Sequence, residues 1–349
     1  MPDTDRTHCT VSLLLLAVCG MLCAAMDVAA RSQRLAIWLD DRAAVEYERQ
    51  NRAFLRTRNY GDFFETLMLD ELPHADYSRG GAYVMGSSNV VFCAEFGDLP
   101  TEPRKLIHNY GFPGADALEM LQFVQYLTDH EGWLRAGGDK TAVLIGLNYK
   151  DMLDTTAQFG GAGDFFPAYL NGSGLFQYDP KQGVSLPPMS PWERSLLIRR
   201  NQWRSFAIRL ERSITPVKNL QANAAAIHAA AERASKIGES LETSSQWAQL
   251  QRLLDYLKAR HVRASLLIMP TGTWFDGIPA EQIFITRLPR MAAANGVPLI
   301  DLTHLLSDDE FMDDRHATFA GAKKVHQALL KWAFNQLHQT GALPAGVTP

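Results

Sequence analysis

Tyr83-Val84-Met85-Gly86-Ser87-Ser88-Asn89-Val90-Val91 is an apolar run that stops at a glycine and hands on two hydroxyl residues. It reads as a buried strand over Ala82 to Met85 followed by a tight turn. The strand fixes the backbone, Gly86 permits the turn, and a serine just beyond it opens the next helix. A serine in that place lies close to backbone N–H groups that can hold an oxyanion. Taken alone the stretch is weak, because serine is a common helix cap and Gly-Ser-Ser a common loop. Its weight comes from what stands at the ends of the other strands.

Downstream, Lys105 to Asn109 reads as a short strand, followed by Tyr110-Gly111-Phe112-Pro113-Gly114-Ala115 and an amphipathic helix over Asp116 to Thr128. Gly114, beside the helix start, can offer a bare N–H to an anion, although an isolated turn glycine is the commoner meaning. Thr141 to Ile145 is a third, strongly apolar strand ending in Gly146-Leu147-Asn148-Tyr149. Asn148 can donate its side-chain amide to an oxyanion, or simply make a turn. Ala264 to Met269 is a fourth strand, running into the aromatic loop Pro270-Thr271-Gly272-Thr273-Trp274-Phe275. Pro298 to Leu302 is a fifth. Helices are expected over Trp247 to Arg260, Phe284 to Asn295 and Phe319 to Leu337.

Strands alternating with helices predict an α/β fold, a three-layer sandwich around a mostly parallel sheet. Ligands of such sheets bind at the carboxyl ends of the strands. Those ends carry Ser87 and Ser88, Gly114, Asn148, Trp274 and the segment Asp313-Asp314-Arg315-His316. An aspartate three residues before a histidine can reach its Nδ1–H on one tight turn and orient the imidazole as a base toward a serine. No second histidine or cysteine stands at ligand spacing, so a metal site is not expected, nor is any cofactor.

The remaining segments bound the class. With 349 residues and 46% hydrophobic residues, the chain can build a large core. A formal net charge of -4, with no basic cluster interleaved with aromatics, gives no sign of a nucleic-acid partner. Val11 to Met26 is a continuous apolar run, and Val28-Ala29-Ala30 is a small-residue stretch suited to cleavage. Residues 1–30 therefore read as a signal peptide or membrane anchor and place the rest outside the cytoplasm, held at the inner membrane if the segment is retained. Arg6 against Asp3 and Asp5, with Arg31, Arg34 and Arg42 beyond the run, is the reverse of the usual charge bias. Residues 31–80 read as a helical connector, with Phe63, Phe64, Leu67 and Leu69 on one face. Cys9, Cys19 and Cys23 lie in or beside the apolar run, which leaves Cys93 alone and no disulfide within the globular part. Residues 151–245 interrupt the alternation. They hold a loop-like stretch rich in glycine and aromatics over Asp151 to Pro191, a basic helix over Trp192 to Lys218 and an alanine-rich helix over Leu220 to Ile237. A basic helical face is ordinarily solvated; an anionic polymer or lipid headgroups are the alternative.

Together the four strand-end stretches resemble the SGNH (GDSL-type) hydrolase superfamily. Gly86-Ser87-Ser88-Asn89 is similar to its nucleophile block, Asn109-Tyr-Gly-Phe-Pro-Gly114-Ala to its glycine block, Gly146-Leu-Asn148-Tyr to its asparagine block, and Asp313-x-x-His316 to its acid–base block. The order agrees as well. Ser87 replaces the usual Asp of the first block and Tyr149 the Asp that often follows the Asn. The likeness covers an 81–340 hydrolase-like domain apart from the insertion. Gly-x-Ser-x-Gly is absent, so an α/β-hydrolase elbow is not supported. The N-terminal apolar segment, the helical insertion and the Pro270 loop are further similar to DltD-like proteins. That narrower likeness implies acyl transfer onto an envelope polysaccharide or polymer beside a membrane-bound O-acyltransferase. What it implies for residues is Ser88 as nucleophile, His316 as base, Asp313 as orienting acid, and the Ser88 N–H, Gly114 N–H and Asn148 amide as oxyanion donors. Trp274 and Phe275 would shape the substrate site. Asp314 stands in reserve for Asp313 and Ser87 for Ser88. A secreted esterase with water as acceptor, and a non-catalytic envelope assembly factor, are the competing classes.

Overall fold

Two faces of one strand show how the core is built. In β1, Gly81–Gly86, every residue is buried. Tyr83 and Met85 enter one hydrophobic cluster, whereas Ala82 and Val84 enter another on the opposite side. A parallel strand covered on both faces has no solvated side, so it reads as a continuous apolar run. The computed structural model describes residues 3–52, 67, 71–72, 75–96, 99–154, 177–179, 183–185, 187–215, 224–344 and 347. The remaining strands are β2 Ile107–Asn109, β3 Thr141–Leu147, β4 Gln177–Asp179, β5 Gly183–Ser185, β6 Arg263–Ile268 and β7 Leu299–Asp301.

β2, β1, β3, β6 and β7 form, in that order, a five-stranded sheet, and every pair in it is parallel. Counting only its members, the order is 2-1-3-4-5, the flavodoxin-like doubly wound arrangement. The first face is covered by the helices Ala117–His130, Gln246–Ala259 and Pro279–Asn295, through Phe123, Val124, Leu250, Leu254, Phe284 and Leu288. The second is covered by the long last helix, Phe319–Gln339, through Val325, Leu329 and Ala333, together with Val90 and Phe96. The expected three-layer α/β sandwich is therefore the fold. Register brings the carboxyl ends level: Val84 pairs with Asn109, Gly86 with Gly146, Leu147 with Ile268, and Ile268 with Asp301. The winding direction reverses between β1 and β3, and loops that diverge at such a switch point leave a crevice.

Three boundaries differ from the sequence reading. β4 and β5 form a small antiparallel hairpin inside the stretch expected to be loop; strands of three residues are too short to carry a period-2 pattern. The basic helix is Pro191–Ile214 and ends before Lys218, because Thr215 is extended ahead of Pro216. The penultimate helix begins at Pro279 rather than Phe284, with a proline at its first turn. The connector is helical over Gln33–Arg49 and docks on the last helix, where Phe319 N donates to Asn51 O at 3.1 Å and Ala320 N to Asn51 Oδ1 at 3.1 Å. Phe63, Phe64, Leu69 and the glycine-rich parts of 155–176 lie outside the described residues.

Candidate active site

Gly86 and Gly146 are register partners, and the space left by their two missing side chains holds Val90. A Cβ on Gly86 would come within 2.3 Å of Val90 Cγ2 and 2.5 Å of Gly146 O; one on Gly146 would come within 2.4 Å of the same methyl. Gly86 also has φ +153, a conformation that side chains rarely adopt. The chain therefore turns at once from β1 into the short helix Ser88–Val91, with Ser87 extended at its cap. Val90 N and Val91 N donate to Ser87 O at 3.0 and 3.1 Å. Ser88 is the first helical residue, and an N–H there has no partner within the helix.

His316 comes from the loop after β7. Asp313 Oδ1 accepts from Arg315 N at 2.9 Å and His316 N at 2.8 Å, which closes the turn. Its Oδ2 lies 2.8 Å from His316 Nδ1. A carboxylate only accepts, so Nδ1 carries the proton and Nε2 is left as acceptor. Nε2 is 2.8 Å from Ser88 Oγ, 228 residues away in sequence. Burial pushes the Asp313 carboxyl up, but its hydrogen bonds to His316 and Arg315 and the His316 charge outweigh this and hold it well below the usual carboxylate range. Phe92 meets the His316 ring edge-on at 5.6 Å between centroids. Asp314 points elsewhere: it forms an ion pair with Lys150.

Asn148 follows β3 and caps a 3₁₀ turn over Tyr149–Met152. Its Oδ1 accepts from Lys150 N at 2.8 Å, so both N–H groups of Nδ2 remain for a ligand or another acceptor. Asp151 completes the capping box by accepting from Asn148 N at 2.9 Å. It is buried, and its carboxyl also accepts from the Ser87 hydroxyl. Burial pushes it up to about 7, against the Asn148 and Ser87 hydrogen bonds and the Arg315 charge. This carboxyl joins the Ser87–Ser88 turn to the asparagine turn, and the Lys150–Asp314 pair joins the asparagine turn to the histidine loop. Burial and Arg315 pull the Lys150 amine down while Asp314 opposes them.

Gly114 sits in a turn closed by Ala115 N donating to Phe112 O at 3.2 Å. Pro113 ahead of a glycine at φ +76 is the signature of a type II turn. The loop is tied to the Ser87–Ser88 turn by Phe112 N to Gly86 O at 3.0 Å. It is tied again by Asn109, whose Nδ2 donates to Val91 O and Ala94 O, each at 3.1 Å. Phe275 is buried and packs edge-on against Tyr149 of the asparagine turn at 5.3 Å between centroids. Trp274 is half-buried and leans on Phe311 at 5.4 Å.

Sequence reasoning missed Asp151, Lys150 and the clamp made by Asn109. The spacing Asn148-x-x-Asp151 is a capping-box pattern that was there to be read. The partners of Lys150 and Asn109 are distant in sequence and leave no local trace.

No protein-family model matches the sequence, and no curated protein matches it. Among solved structures, the chain is similar to the crystal structure of a "putative acylhydrolase" from Bacteroides fragilis NCTC 9343. The two are 13% identical with a TM-score of 0.38, over 79% of this chain and 94% of that one.

Proposed function

We propose that the chain is a serine-dependent enzyme of the SGNH type, acting outside the cytoplasm to transfer or hydrolyse acyl esters. The observation that carries this reading is the continuous relay from Ser88 Oγ through His316 to Asp313, with both links at 2.8 Å. In the first half-reaction Ser88 Oγ bonds to the ester carbonyl carbon while its proton passes to His316 Nε2. Asp313 stabilises the imidazolium that forms. The oxyanion is held by the Ser88 N–H, the Gly114 N–H and Asn148 Nδ2. The ester C–O bond then breaks, and the departing alcohol takes the proton from Nε2. In the second half, an acceptor hydroxyl gives its proton to His316 Nε2 and attacks the acyl carbon; the bond from that carbon to Ser88 Oγ then breaks, and Oγ takes the proton back from Nε2.

The acceptor we favour is a hydroxyl of a cell-envelope polysaccharide or polymer, with a membrane-bound O-acyltransferase supplying or relaying the acyl group. In support, an apolar helix over Asp3–Arg31 contains one stretch, Leu14–Arg31, long and apolar enough to cross a membrane. It is bonded to the folded chain through Trp203 Nε1 and Asp27 Oδ1 at 3.2 Å, which favours a retained anchor over a cleaved leader. The test follows acetyl from an activated aryl ester in the presence of envelope glycans. Transfer predicts Ser88-dependent acetyl on the glycan. Release of free acetate alone would replace the transferase by a secreted esterase, and no turnover with any ester would favour the assembly-factor reading.

A further inference from the structure

The helix Pro191–Ile214 carries an apolar stripe that the fold leaves largely uncovered. Trp192, Leu196, Trp203, Ala207, Leu210 and Ile214 recur at spacings of three, four and seven, so they lie on one helical face. Trp192 is 66% exposed, Leu196 46%, Leu210 41% and Ile214 68%. The opposite face is the one turned to the protein: Asn201 and Ser205 are buried, Leu197 packs on the core, and Arg209 Nε meets Asp40 Oδ2 at 3.2 Å. An apolar stripe on the outward face is the reverse of what a solvated surface helix shows. The neighbouring helix Gln33–Arg49 repeats the pattern, exposing Ile37, Trp38 and Val45.

Three features say what covers the stripe. The helix holds six arginines against two glutamates, and Arg199 falls within the stripe itself. Tryptophan at the start and middle of such a face suits the layer between water and hydrocarbon, where an amphipathic ring is at home. Most directly, the Trp203–Asp27 hydrogen bond fixes the middle of the stripe at the last turns of the apolar helix Asp3–Arg31. That is the level at which a membrane-crossing helix meets the headgroups. A basic, tryptophan-bearing amphipathic helix at that level has the composition of one lying in the bilayer surface.

We infer that Pro191–Ile214 is a membrane-surface helix, laid into the headgroup layer of an anionic bilayer beside the N-terminal span. This goes beyond the acyl-transfer reading and does not depend on Ser88. Its consequence is that the insertion holds the domain in a fixed orientation on the membrane, where a single span would leave it free to tumble.

The test uses the full chain in vesicles of phosphatidylglycerol and phosphatidylcholine carrying brominated acyl chains. Emission is compared between the native chain and Trp192→Phe, an exposed and conservative change. The expected result is that the Trp192-dependent emission is quenched at least twofold, more by bromine placed near the headgroups than by bromine placed deep. It should weaken in pure phosphatidylcholine and in Arg199→Glu. Trp192-dependent emission that is identical in brominated and plain lipid would overturn the inference and leave water or a partner protein against the stripe. Equal quenching in neutral and anionic vesicles would overturn its electrostatic part.

Discussion

Asp151 is a buried carboxyl with a measurable signature. Its folded value, raised from 3.8 to about 7, means that between those values the folded chain keeps a proton that the unfolded chain has lost. Stability from this group therefore falls as pH rises through that window and levels off above it. Asp313 runs the other way: its lowered value adds stability above the ordinary carboxylate range that is lost as pH falls through and below it. Asp151→Asn removes the first effect alone, and the groups facing it (Ser87, Asn148, Arg315 and Asp116) stay in place. The melting temperature of Asp151→Asn minus that of the native chain is expected to rise from pH 5 to pH 8; a constant offset would contradict the assignment. Asn148→Ala is expected to lower kcat on an activated ester by ~10²–10³ with KM little changed, as loss of an oxyanion donor does. The relay residues were legible because aspartate and histidine stand three apart and the serine follows a strand-ending glycine. The capping role of Asp151 could be read from its spacing to Asn148, but its link to Ser87 and that of Lys150 to Asp314 could not, because those partners lie 64 and 164 residues away.

At the scale of elements, the site depends on how closely the Ser88–Val91 helix sits on the sheet. Gly86→Ala forces a side chain against the Gly146 carbonyl and Val90 at a disfavoured φ. It is expected to cost roughly 3 kcal/mol or more by denaturant unfolding. Gly146→Ala meets chiefly the Val90 methyl and should cost less; equal costs would mean that the backbone contact does not matter. The Lys150–Asp314 pair, with side chains 12% and 18% exposed, ties two loops together. Lys150→Met should destabilise by roughly 1–3 kcal/mol by leaving the half-buried Asp314 with only its longer 4.0 Å pair to Arg315, and adding Asp314→Asn should recover part of that. β1, β3, β6 and β7 could be read directly as apolar runs closed by small or polar residues, whereas β2, Ile107-His108-Asn109, was marked by the glycine-bearing turn and amphipathic helix that follow it. The hairpin could not, and the end of the basic helix was set by Pro216 rather than by its apolar pattern.

Across the whole molecule, one sheet edge gathers what the sequence scatters. The Ser88 turn follows β1 and the asparagine turn follows β3, the two strands flanking the switch point, and the histidine loop arrives after β7. That convergence was foreseeable from strand–helix alternation alone, because parallel strands put every following loop on one side. How the helices of the insertion lie against the N-terminal ones was not foreseeable, since the contacts between them, Trp203–Asp27, Arg209–Asp40 and Arg42–Ser213 among them, join residues 169 to 176 positions apart in sequence. The central claim is that Ser88 is a nucleophile activated by His316. Intact-mass measurement of the purified full chain after exposure to a fluorophosphonate, with and without Ser88→Ala, tests it most directly. One covalent adduct on the native chain that is absent from Ser88→Ala is the predicted result. An adduct that persists in Ser88→Ala, or none on the native chain, would contradict it.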